Sequence, residues 1–240
     1  MKYRVTFLGS KGMIEEHDRW HRYRTGIIIE TPKTRFMIDC GEEKFYPYLN
    51  DAEFLTLSHK HRDHTDGIRG KEVKIPLVAS TTVLRQLEKD LKVQVKRPIP
   101  GGIKYKDVEI KLVPCYHSVL APMWGIIINE ELGVFTDIIA PKRGWGVLKN
   151  LKYYIGDGST ITRPLIRRHK ETGEIFGHTT IRTQLRKALQ FGWEKVIFTH
   201  FGKEAVEMDE RELKKALGRD VTIARDGLSL EINITSRRLK

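Results

Sequence analysis

His59-Lys60-His61-Arg62-Asp63-His64 places four side chains able to bind a metal within six positions. Neutral imidazole and carboxylate suit Zn²⁺, and an ordinary solvated loop has no need of so many together. Before the cluster runs Glu53-Phe54-Leu55-Thr56-Leu57-Ser58, an apolar stretch of strand length; after it, Thr65-Asp66-Gly67 opens a turn. The cluster therefore stands where a buried strand runs out into a loop. A strand end is rigid, so several ligands can converge there without a large ordering cost.

Those six residues match a His-x-His-x-Asp-His signature, and through it the chain resembles the metallo-β-lactamase-fold hydrolases. Three more stretches occur in that family's order. Cys115-Tyr116-His117-Ser118 follows the strand-like Val108-Glu109-Ile110-Lys111-Leu112-Val113, and Gly133-Val134-Phe135-Thr136-Asp137 ends a second apolar run. Val196-Ile197-Phe198-Thr199-His200-Phe201-Gly202 supplies the last histidine. Each would be unremarkable alone; together, each after its own strand, they make the resemblance specific.

The resemblance implies a site for two Zn²⁺, with His59, His61 and His117 on one ion and Asp63, His64 and His200 on the other. Asp137 would bridge them. Mn²⁺ or Fe also occurs in relatives, and this ligand set admits either. Asp39, in Met37-Ile38-Asp39-Cys40-Gly41-Glu42, matches the family's aspartate that holds the outer N–H of a metal-bound imidazole. A plain turn residue before Gly41 is its other reading.

Gly177-His178-Thr179-Thr180 resembles the His-Ser/Thr-Thr motif of ribonuclease Z and its phosphodiesterase relatives. The resemblance implies that His178 contacts the scissile phosphate and protonates the leaving oxygen. Placed at the opening of the helix that follows, His178 would stand beside free N–H groups and a positive dipole end, both suited to an anion; simple helix capping is the alternative. Asp157, in Tyr154-Ile155-Gly156-Asp157-Gly158-Ser159, matches the acidic residue that orients this histidine, although the branch often has glutamate there. The implied mechanism is phosphodiester hydrolysis by hydroxide held at the metal pair. Asp63 orients that water or takes up its proton, and His178 supplies a proton to the departing oxygen.

At 240 residues the chain is expected to form one hydrolase domain over residues 1–240. Strands are predicted at 3–8, 25–30, 35–39, 53–57, 76–79, 108–114, 123–129, 132–136, 152–156, 195–199, 221–224 and 228–232. Apolar residues at 181, 185, 188 and 189 predict a helix closed by Gly192, and Asp209 with Glu212 opens another, closed by Gly218. The fold class is α/β, a four-layer αββα sandwich with the metal site at one edge. No apolar run approaches the ~20 residues of a membrane span. Two cysteines, each beside a motif, point to reduced packing residues and a cytoplasmic location.

Lys and Arg number 43 against 31 acidic residues, a net charge of +12. Such a field attracts phosphate-rich partners, although abundant Lys, Arg and Glu is also a thermophile composition. The excess includes Arg19, Arg22, Arg24, Lys142, Arg143, Arg163, Arg167, Arg168 and Lys170, with Trp20, His17 and His21 read either as nucleobase contacts or as loop packing. In ribonuclease Z a long arm that grips transfer RNA lies between the third-motif histidine and the bridging aspartate. Here only 20 positions separate His117 from Asp137, room for a hairpin at Asn129-Glu130-Glu131-Leu132-Gly133. The expected substrate is accordingly a phosphodiester in short RNA or DNA, or a cyclic nucleotide. Two alternatives stay open: hydrolysis of a small ester, thioester or lactone on the same core, and nucleic-acid binding around a structural metal. The resemblance also suggests a homodimer.

Overall fold

The strand Met123–Ile128 shows why two sheets form. Ile126 and Ile128 join one apolar cluster and Ile127 another, because successive side chains leave opposite faces of a strand. Val134 and Phe135, Ile155 and Tyr154, and Ile197 and Phe198 divide between the same two clusters. Strands apolar on both faces need cover on both sides.

The computed structural model describes residues 1–218 and 221–235. One sheet runs in the order Ser229–Asn233, Lys2–Gly9, Gly26–Glu30, Arg35–Ile38, Leu55–Thr56, Glu72–Ala79 and Gln94–Pro100. The other runs Ala140–Pro141, Val108–Tyr116, Met123–Ile128, Leu132–Phe135, Tyr153–Asp157, Lys195–Thr199 and Val221–Ile223, with Ile103–Tyr105 beside Val108–Tyr116. Between the sheets, Val5, Phe7, Ile27, Ile29 and Phe36 meet Ile126, Ile128, Val134 and Ile155. Burying a side chain of this size stabilises by about 1.5–3 kcal/mol.

Helices close both outer faces. Thr81–Leu91 sets Val83, Leu84, Leu87 and Leu91 against Leu55, Leu77 and Ala79. Ile181–Phe191 and Glu210–Leu217 set Ile181, Ala188, Leu213 and Leu217 against Phe135, Tyr154 and Phe198. The result is the four-layer αββα arrangement expected from the sequence.

Strand direction places the site. From Arg35–Ile38 onward the first sheet is parallel, as is the second from Leu132–Phe135 onward. Carboxyl ends therefore line up along one edge, where open α/β sheets hold their ligands. The residues just past those ends are Asp39, His59, Asp137 and His200, and Asp157 closes its own strand.

Some elements differ from expectation. The predicted strand 53–57 pairs regularly only at Leu55–Thr56, although Glu53 and Leu57 still donate to Arg35 and Val78 carbonyls. Helix Thr81–Leu91 and edge strand Gln94–Pro100 were not anticipated; the latter is largely exposed and contains Pro98 and Pro100, which obscure its pattern. Neither was the hairpin of Leu165–Arg168 with Ile175–His178, whose first strand is exposed throughout. Met123–Ile128 and Leu132–Phe135 do form the hairpin expected between His117 and Asp137. Among the described residues no helix is long and apolar enough to cross a membrane.

Candidate metal centre

Three backbones bend sharply to build this site. Asp39, Asp137 and His200 have φ of 56°, 54° and 58°, a left-handed conformation costing a non-glycine residue about 1–2 kcal/mol. Each follows the end of a parallel strand, where the bend turns a side chain inward. His61 precedes the four-residue helix Arg62–Thr65, which carries Asp63 and His64. Gly41 lets the neighbouring loop close on that helix, since a Cβ there would lie 2.0 Å from the Asp63 carbonyl oxygen.

Two groups of donor atoms result. His59, His61, His117 and Asp137 form one, and Asp63, His64, Asp137 and His200 the other, with the atoms of each within 4.8 Å of one another. These are the two sets implied by the sequence resemblance, sharing Asp137. In the first, His61 Nδ1 lies 3.0 Å from His59 Nε2 and 3.1 Å from His117 Nε2. In the second, Asp137 Oδ2 stands 2.7 Å from His64 Nε2 and 3.4 Å from His200 Nε2, while Asp63 Oδ2 is 2.9 Å from His200 Nε2.

Asp63 Oδ1 is buried without a hydrogen-bond partner, and His64 Nε2 and Asp137 Oδ2, 2.7 Å apart, have no hydrogen-bond acceptor or donor other than each other. A buried polar atom left unpaired costs free energy, and native structures rarely tolerate several together. A pair of cations would satisfy all three, so the residues fit the metals that the fold implies.

Outer contacts fix the rings. His64 Nδ1 lies 2.7 Å from Asp39 Oδ2, His59 Nδ1 is 3.0 Å from Ser58 Oγ, and His200 Nδ1 is 3.0 Å from Ser159 Oγ. His117 Nδ1 is 3.2 Å from the Gly177 carbonyl oxygen. In each case the opposite nitrogen is left for the centre, the arrangement that metal-binding histidines use. Ser58 and Ser159 were not singled out from the sequence; their only signal is adjacency to His59 and closeness to Asp157.

Burial pulls His59, His61 and His117 below the usual imidazole range, His117 to about 4. His64 moves oppositely: burial opposes its charge, but Asp63 and Asp39 outweigh burial and push it up to about 10. His200 is likewise raised, against burial, by Asp137, Asp157 and Asp63.

His178 stands beside this cluster and departs from its expected setting. It ends the strand Ile175–His178, and the helix begins at Ile181 after the N-cap Thr180. The first helical N–H groups are already occupied: Ile181 donates to Thr160, Arg182 to Ile161 and Thr183 to Thr180 Oγ1. Free helix N–H groups therefore do not account for His178. Its Nδ1 instead lies 2.8 Å from Asp157 Oδ2. Asp157, fully buried, also accepts from Ile138 and Ser159 N–H, and Gln184 anchors its backbone. Burial opposes the His178 charge, but Asp157 raises its pKa.

A cavity of about 1320 Å³ opens over both donor groups and includes Asp63, Asp137, His178 and Arg163 among its lining. The loop after the first strand contributes Gly12, Met13 and Ile14, whereas Trp20 and His21 line a separate cavity of about 340 Å³. His21 is buried 2.8 Å from Ser10 Oγ and packs edge-on to Phe201, which is a packing role. Arg24 is tied to Asp66 at 2.6 Å.

No family model matches the chain. Ribonuclease Z of Methanopyrus kandleri is 21% identical over 275 aligned residues, spanning 95% of this chain and 97% of that protein. A crystal structure of a diphosphatase from the PhnP family is similar with a TM-score of 0.69 at 19% identity, covering 97% of this chain and 98% of that one. The metallo-β-lactamase fold protein YhfI from Bacillus subtilis gives 0.70 at 18% identity, covering 96% and 99%.

Proposed function

We propose that this chain, which has the metallo-β-lactamase fold, is a metal-dependent hydrolase cleaving phosphodiester bonds. One observation carries the reading: His178, oriented by Asp157 at 2.8 Å, faces the same cavity as both donor groups. Its ring centroid lies 5.0 Å from that of His117. An ester, thioester or lactone hydrolase has no need of an imidazole held by a buried carboxylate at that place, and neither has a structural metal site.

His59, His61 and His117 would hold one ion and Asp63, His64 and His200 the other, with Asp137 common to both donor groups. Zinc is our choice, because imidazole and carboxylate suit it, with manganese or iron as variants. When bound, such a pair stabilises charge on phosphoryl oxygens and makes water acidic enough to ionise near neutral pH. Asp63, whose Oδ1 is unpaired, orients the attacking water or accepts its proton. His178, with Nδ1 fixed on Asp157, presents Nε2 to the leaving oxygen and donates its proton there.

The substrate is RNA, DNA or a cyclic nucleotide. The basic balance of +12 and the likeness to a ribonuclease Z over nearly the whole chain support nucleic acid. Cys40 and Cys115 are buried, unpaired thiols pushed up by burial to about 12, which fits the reducing cytoplasm we assign. The test is hydrolysis of bis-p-nitrophenyl phosphate by protein loaded with zinc, manganese or iron. His178→Ala should retain its metals and lose about 10²–10⁴-fold in turnover. Lactone or thioester turnover without diester cleavage would sink the reading.

A further inference from the structure

The hairpin of Leu165–Arg168 with Ile175–His178 belongs to neither large sheet, yet His178 sits at its base. Its register pairs Leu165 with His178 and Arg167 with Phe176. Opposed residues share a face of a hairpin, as do residues two apart on one strand. Leu165 and His178 both line the metal cavity. Arg167, two places beyond Leu165, and its partner Phe176 therefore continue that face outward, roughly 6.6 Å along the strand.

Among the described residues neither side chain is held by an apolar cluster or an ion pair. Phe176 is half-buried but joins none of the three apolar clusters and, among the described residues, contacts no other ring. Arg167 is exposed and, among the described residues, pairs with no carboxylate. Four other cations at the cavity are committed, Lys60 to Asp90, Arg62 and Arg69 to Asp66, and Lys203 to Glu16, while Arg163 lines it with no carboxylate pair among the described residues. An unengaged ring beside an uncommitted guanidinium is the combination that stacks a base and holds a phosphate of single-stranded nucleic acid.

We infer that Phe176 and Arg167 form a subsite for the nucleotide adjoining the scissile phosphate, and that the substrate is a single-stranded nucleic acid rather than a cyclic mononucleotide. This rests on the phosphodiesterase reading and narrows it. A cyclic mononucleotide has one phosphate, which the metal centre and His178 take, leaving nothing for Arg167 to hold. The cavity also exceeds the roughly 300–1,000 Å³ of a typical small-molecule site, as a longer substrate requires.

The test uses the metal-loaded full chain with a 12-nucleotide single-stranded RNA, DNA of the same sequence, 3′,5′-cyclic AMP and bis-p-nitrophenyl phosphate. Phe176→Ala should lower kcat/KM for the cleaved single strand, relative to that for the small diester, by roughly 5- to 100-fold. Phe176→Tyr, which keeps a ring, should restore the ratio. Arg167→Ala should flatten the slope of log affinity for that strand against log salt by about 0.7, one phosphate contact. An unchanged ratio and slope in the alanine variants, or a loss shared equally by the small diester, overturns the subsite but leaves phosphodiesterase activity standing. More efficient turnover of cyclic AMP than of either single strand overturns the single-strand assignment. A wild-type protein that cleaves none of the four defeats the phosphodiesterase reading and the subsite together.

Discussion

Asp39 and His64, 25 positions apart, are joined by a contact of 2.7 Å between Oδ2 and Nδ1. The other oxygen of Asp39 accepts the Ser58 N–H at 2.9 Å, so one carboxylate fixes both a ring on the short helix and the strand end leading to His59. Asp39→Asn is the informative change, because asparagine tolerates the left-handed backbone found there while losing the charge. It should weaken the second cation by about 10- to 100-fold while sparing the first. Chelator competition with metal counting would check this, and equal loss of both ions would contradict it.

Asp157 raises the pKa of His178 against the pull of burial and the nearby His200, with Asp137 assisting at 3.3 Å. A general acid must be protonated, so turnover is present below the His178 pKa and lost as pH rises through it. Asp157→Asn removes the main raising influence. The alkaline limb of the kcat profile should then move to lower pH, with metal content held. A limb that stays in place would assign it to another group.

The sequence reading succeeded where chemistry is crowded or periodicity is strong. His59 to His64 declare themselves within six positions, and strands such as Met123–Ile128 and Lys195–Thr199 are apolar on both faces. Residues that act through geometry were less legible. Ser58 and Ser159 are ordinary serines until folding sets them against His59 and His200. The hairpin carrying His178 lacks an alternating apolar face, because its strands stand off the core, so the motif was read as the start of the next helix. Trp20 and His21, which the sequence allows either as nucleobase contacts or as packing, line a different cavity from the metal centre.

Gly41 is required by proximity rather than by its dihedral angles. A Cβ there would meet the Asp63 carbonyl oxygen at 2.0 Å and the Thr25 carbonyl oxygen at 2.8 Å, both backbone atoms. Neither can swing away as a side chain would. Gly41→Ala should therefore destabilise by about 1–3 kcal/mol and displace the helix carrying Asp63 and His64. Thermal unfolding would show a Tm lower by roughly 2–4 °C per kcal/mol. The second cation should weaken in parallel, and an unshifted Tm would mean that the loop relaxes without cost.

The two cation sites should respond differently to acid. His59, His61 and His117 lie below the usual imidazole range, so a cation arriving there at neutral pH meets free lone pairs. The carboxylates around His64 and His200 raise both pKa values against burial, which favours a proton on each ring that a second cation must displace. Metal and proton compete for the same nitrogen, so affinity falls as pH falls, by about tenfold per pH unit for each proton displaced. With two such histidines the second ion should lose up to about 100-fold per unit, while the first changes little until its own ligands begin to protonate. At fixed zinc, the protein should pass from two ions per chain near about pH 8 to one near about pH 6. Calorimetry in buffers of different ionisation heat would register the protons released on binding the second ion. Release of equal numbers at both steps would show that His64 and His200 are not held in their charged forms.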